Sequence, residues 1–228
     1  MADPKSDLTR RSVLTGAGVA VAAGVGLAVA PNAAGDDRER PVGTGPDGTT
    51  TVEFRGRISQ TGKSGETFTS YGFLIRANGA SAADLFAGST TTVGSALFTA
   101  YATGELKARV LDQSVHSLDI DGELTVYQRT APGATFDDQT SFTVGASVAT
   151  YRLTLQDVLA VFAPQQGIPT LTGDMVQTEA HRLSGGLAGR SFGRRGQRLR
   201  FFATGLGQLV DPVTLNAHLE IAGNWSAE

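Results

Sequence analysis

The chain has 228 residues and not one of them is cysteine. That absence excludes a disulfide scaffold, thiolate metal centres, a thiol nucleophile and a lipid-modified lipobox. Charge is scarce too: 18% of the residues, nearly balanced at 19 basic against 22 acidic. A formal net charge of −3 gives no reason to expect nucleic acid as a partner. There is no strand–helix alternation of the βαβ kind and no internal repeat. What the chain does have is glycine, 29 residues, beside a hydrophobic share of 40%. That mixture is too apolar for disorder throughout and suits strands and tight turns.

Two arginines stand in Thr9-Arg10-Arg11-Ser12-Val13-Leu14, and an uncharged stretch runs from Val13 to Ala30, broken by Gly16, Gly18, Gly24 and Gly26. This segment resembles a twin-arginine export signal: a basic start, a weakly hydrophobic middle, then small residues. The glycines keep it less apolar and less helical than a stable membrane span. The resemblance implies export of an already folded protein to the periplasm, cell envelope or exterior. It names the twin-arginine export machinery as a partner and limits membrane contact to the signal. Cleavage is expected near Ala34, after Asn32-Ala33-Ala34; the alternative is a permanent N-terminal anchor.

Residues 35–48 are charged, then rich in Pro and Gly, without apolar period, and read as a flexible linker. The domain is therefore expected over 49–228. Within it, His116 to Val126 alternates apolar and polar residues strictly, as a half-buried strand does, with a bend expected at Gly122. Leu97 to Val110 alternates in the same way, placing Phe98, Ala100, Ala102, Leu106, Ala108 and Val110 on one face. Further strands are predicted over Thr51–Ser59, Phe68–Arg76, Phe142–Leu153, Met175–Arg182, Leu199–Thr204 and Val213–Ala222. Ala80–Gly88 reads as a short helix capped by Ser81, and Leu155–Phe162 fits a helical turn or an apolar strand.

About eight antiparallel strands with glycine-rich turns predict an all-β fold. The preferred form is a closed eight-stranded barrel, with a two-sheet sandwich as the alternative. In strand number, turn composition and length, Thr51 to Trp225 is similar to allene oxide cyclase-like and dirigent-like barrels. That layout implies a cofactor-free protein. No motif carries a catalytic residue across.

Several residue groups are candidates for chemistry. His116 shares its phase with Leu118 and Ile120, so it is expected inside, as an acid, base or ligand donor or simply as a hydrogen-bonded core histidine. His181 and His218 lie on other phases, so no three-histidine metal site is expected. Gly189-Arg190-Ser191-Phe192-Gly193, followed by Asp211 and His218, matches the order of a serine hydrolase triad, but no helix follows to make a nucleophile elbow. The same segment holds Arg190, Arg194, Arg195, Arg198 and Arg200. Of these, Arg194, Arg195 and Arg198 are the candidates for gripping carboxylate, phosphate or sulfate. Asp119-Ile120-Asp121 and Asp137-Asp138 read as acidic surface turns.

Small inward residues on the Leu97–Val110 strand suggest room for a ligand. The leading expectation is an exported barrel holding a small, mostly apolar molecule among Phe98, Ala100, Ala102, His116 and Leu118. A cofactor-free cyclase or isomerase using His116 is the enzymatic alternative. A non-catalytic envelope protein with a solid core is the third. No cofactor and no metal are expected.

Overall fold

In the structure, a computed structural model describing residues 40–61, 67–211, 213 and 216–228, the period-two pattern becomes eight strands. They are β1 (Thr50–Gln60), β2 (Thr67–Ala77), β3 (Phe98–Asp112), β4 (Val115–Gln128), β5 (Ala146–Ala163), β6 (Gln166–Ala180), β7 (Arg198–Val210) and β8 (Ala217–Ala227). Each pairs antiparallel with its sequence neighbour, and β8 returns to pair with β1, so the sheet closes into a barrel. The sandwich alternative is thereby excluded. Closure gives each strand two neighbours and leaves no open sheet edge. The long connections after β2, β4 and β6 gather at one end, the loop end. The turns from β3 to β4, β5 to β6 and β7 to β8 lie at the other, the hairpin end. The export-signal and cleavage readings fall on residues 1–39, outside the described residues.

The ambiguous Leu155–Phe162 segment is strand, continuing β5. Its inward residues Leu155, Asp157, Leu159 and Val161 are buried, while Gln156, Val158, Ala160 and Phe162 are exposed. The expected strand start at Phe142 is wrong: Gln139–Thr143 is a 3₁₀ turn, with the Asp138 carboxylate accepting from the Thr140 backbone at 2.9 Å. The helix at Ser81 is one turn, Ala82–Leu85 (α1). Asp119 and Asp121 are not in a turn; they are outward residues in the middle of β4.

Gly122 lies opposite Gly104, and a Cβ on Gly122 would collide with the Thr103 carbonyl oxygen. It permits close approach of two backbones and makes no bulge. The bulge falls instead between Leu106 and Ala108. It turns the rest of β3 over, so that Ala108 and Val110, expected inside, are exposed.

Two further departures come from long-range packing. Tyr71 and Phe73 sit on the outward phase of β2 yet are buried. The loop after β4 folds back over them, bringing Phe142 to 5.2 Å from Tyr71 and Phe136 to 6.3 Å from Phe73 between ring centroids. Burying each such ring is worth about 1.5–3 kcal/mol, enough to hold the loop down. Residues 41–48, read as flexible linker, instead form a strap across the loop end. Val42 is fully buried and bridges Phe192. The Val42 N–H donates to Ser191 O at 2.9 Å, the Gly193 N–H to Val42 O at 2.8 Å, and the Gly48 N–H to Ala227 O at 2.7 Å. One apolar residue in a Pro/Gly-rich run carries no period, which is why the pattern hid it.

Candidate functional site

The barrel interior is where a ligand was expected, and it is filled. Phe98, Ala100, Ala102, His116 and Leu118 all lie on the inward phase and are buried. The small residues on β3, however, face large ones from other strands. Phe54, Leu124, Phe201 and Trp225 close in on Ala100 and Ala102, leaving about 20 Å³ there. That is room for about one water molecule, far below the several hundred Å³ of a ligand site. Small side chains here serve packing, because they let aromatic rings occupy the barrel axis.

His116 sits at the hairpin end with 2% exposure. Its Nε2–H donates to the Gln113 carbonyl at 3.1 Å, while Nδ1 is buried without a partner among the described residues. It thus ties down the turn between β3 and β4. Sequence reasoning missed its neighbour on the inner face. Asp157 stands opposite Leu118, and Leu159 stands opposite His116, so Asp157 and His116 are diagonal neighbours on adjacent strands. Asp157 is 0% exposed, and among the described residues no well-formed hydrogen bond reaches either carboxyl oxygen. Burial pushes its carboxyl up to about 7, against a small opposing pull from the Thr170 backbone N–H. The signal for this residue was visible: an acidic side chain on the apolar phase of Leu153, Leu155 and Leu159.

The hydrolase triad does not assemble. Ser191 lies at the loop end, its Oγ donating to Gly193 O at 3.0 Å, while Asp211 and His218 flank the β7–β8 turn at the opposite end. His181 is exposed and pairs with Glu179 at 3.3 Å. Among the described residues no cluster of three or more His, Asp or Glu could hold a metal ion.

The arginine-rich segment divides in three. Arg190 is structural: Nε donates to Arg40 O at 2.8 Å and Nη1 to the Gly79 carbonyl, clamping the strap. Arg200 is spent on ion pairs with Asp174 at 3.2 Å and Glu228 at 2.9 Å. The other three, Arg194, Arg195 and Arg198, line one hollow of about 520 Å³ together with Arg40 from the strap. None of these four guanidinium groups makes an ion pair or hydrogen bond with a described residue.

The hollow is built by a turn that one buried side chain organises. Gln177, on β6 and 1% exposed, donates from Nε2 to Phe192 O and Glu179 O, both at 2.8 Å. Its Oε1 accepts the Arg194 backbone N–H at 2.8 Å. The turn Arg194-Arg195-Gly196-Gln197 closes through the Gln197 N–H on Arg194 O at 2.9 Å, with Gly196 at φ +83°. Only glycine adopts that third-position geometry freely, so Arg194 and Arg195 are projected on either side of a fixed corner. The strap supplies the facing wall, Arg40 and Thr44 to Asp47. Asp47 and Glu228 are the acids of the lining, and Glu228 is already held by Arg200.

A second hollow, about 310 Å³, lies outside β1 and β8 beside Arg55, Arg57, Phe73 and Phe136. Arg57 is already paired there with Glu220 at 2.9 Å and stacks 4.7 Å from the Phe136 centroid. The hollow therefore offers less unspent charge.

The chain matches no family model, no curated protein and no solved structure.

Proposed function

We propose that this chain is an exported, non-catalytic binding protein that holds an anionic group in the arginine-lined hollow at the loop end of the barrel. The observation that carries this reading is the convergence of Arg194, Arg195 and Arg198 with Arg40 around about 520 Å³, their guanidinium groups making no ion pair or hydrogen bond among the described residues. Planar guanidinium forks suit carboxylate, sulfate and phosphate, gripping two oxygens at once. Export by the twin-arginine route rests on the N-terminal motif. The hollow presents its charge to solvent, where an exported protein would meet its ligand.

An apolar ligand beside Ala100 and Ala102 needs space that the packed side chains occupy there. The barrel is thus a rigid support, and its loop end does the binding.

Isothermal titration of the purified chain with inorganic phosphate, sulfate and citrate tests the reading. Saturable binding of at least one anion, weakened by added salt, is expected. Arg195→Ala and Arg198→Ala should each weaken it about tenfold, equivalent to about 1.4 kcal/mol. No saturable heat through the millimolar range, or binding indifferent to both substitutions, refutes it.

A further inference from the structure

We propose that the outer face of β5, β6 and β7 toward the hairpin end is a docking surface for a second copy of this chain. Ladder registers define the face row by row. Ala160 stands opposite Ile168, and the Gly167–Gly207 and Thr170–Thr204 pairs set Ile168 beside Leu206. The next outward row is Val158, Thr170 and Thr204; the one after it is Gln156, Thr172 and Phe202. Phe162 and Leu209 extend the face to the hairpin tips. No charged side chain stands in any of these rows. Along β5, β6 and β7 charge begins at the row of Thr154, Asp174 and Arg200, where the Asp174–Arg200 ion pair forms a polar border; on the flanking strands Asp119 stands opposite Gln156 and Glu220 opposite Leu206.

The amount of apolar surface is large for a face left in water. Val158, Phe162, Ile168, Phe202, Leu206 and Leu209 are each between 37% and 59% exposed. Together they leave on the order of 600 Å² of side-chain surface in water, the upper end for the largest patch on a monomer. That is most of the roughly 800 Å² each partner buries in a stable pair. An apolar centre inside a salt-bridged polar rim is the anatomy of a protein interface.

Charge selects the occupant. Because the rows on β5, β6 and β7 carry none, two copies can pack centre to centre without bringing like charges together there, even though the whole chain is net acidic. The flanking strands contribute Asp119 on the β4 side and Glu220 on the β8 side. Glu220 is balanced by Arg57, so the flanks as a whole lack the basic charge that an anionic lipid surface would favour, and Asp119 opposes such a surface. Closure of the barrel also removes strand-edge pairing, so association proceeds through side chains of this face. It lies toward the opposite end from the arginine hollow, and the two proposals stand or fall separately.

Sedimentation velocity from about 1 to about 100 µM tests the proposal. The expected result is a monomer–dimer equilibrium within that range. Ile168→Lys and Leu206→Lys should each raise its dissociation constant at least tenfold, with circular dichroism unchanged. Val144→Lys, at an exposed apolar residue of the loop end, should leave it unchanged. A chain monomeric at every concentration, or a dimer indifferent to both lysines, overturns the proposal. So does a monomer that floats with phosphatidylcholine vesicles and loses flotation with either lysine.

Discussion

Asp157 makes the stability of the barrel depend on pH in a direction opposite to that of most carboxylates. In the unfolded chain its carboxyl ionises near its ordinary value of 3.8; in the barrel burial raises it to about 7. Between those values the folded protein holds a proton that the unfolded chain has released. Stability therefore falls as pH rises through that window, by about 1.4 kcal/mol per pH unit, and levels off above about 7. Below 3.8 both states are protonated, and the group costs nothing through ionisation. The accumulated loss is about 4 kcal/mol, a large fraction of the 5–15 kcal/mol typical of a folded domain. Asp157→Asn keeps the shape and removes the proton. Urea unfolding followed by the fluorescence of Trp225, the one tryptophan, should be run on both proteins from pH 4 to 8. The difference between them cancels the other titrating groups. Relative to the native chain, the asparagine variant should gain about 4 kcal/mol across that span. A difference that stays constant with pH would mean that the carboxyl titrates alike in both states. The assignment of Asp157 to a dry interior would then be wrong.

Two further outcomes test the packing and the site. Ala102→Leu adds three carbons beside the cavity of about 20 Å³, so it should destabilise the barrel by about 1–3 kcal/mol through overpacking; a neutral or stabilising result in thermal unfolding would show that the interior has unfilled space. Gln177→Ala removes the side-chain amide that fastens the Arg194 turn to Phe192 and Glu179. Unmet buried backbone groups should cost about 2–4 kcal/mol, and anion affinity should fall with them. Unchanged affinity in the folded variant would detach the turn from binding.

How legible each part was depended on whether its cause was local. Alternation in His116–Val126 and Leu97–Val110 is a property of a few consecutive residues, and it placed Phe98, Ala100, Ala102 and Leu118 on the inner face correctly. It failed beyond Leu106, because a bulge depends on how the partner strand fits. The arginine candidates were legible as a cluster, but their division was not. Arg200 found Asp174 and Glu228, Arg190 found two carbonyl groups, and Arg194, Arg195 and Arg198 were left over. Arg40 joined them from 154 positions before Arg194, a partner that no local pattern announces.

By itself, then, the amino-acid sequence determined the all-β class, most of the strands and the inward phase of their regular stretches, since side-chain period and turn chemistry act over neighbouring residues. Tertiary structure alone decided that the interior is filled. Small residues on β3 become a cavity or a packing seat according to what the opposite wall presents, and here it presents Phe54, Phe201 and Trp225. It likewise decided that Pro41–Gly48 is a wall of the site, because the burial of Val42 against Phe192 is a contact between distant parts of the chain.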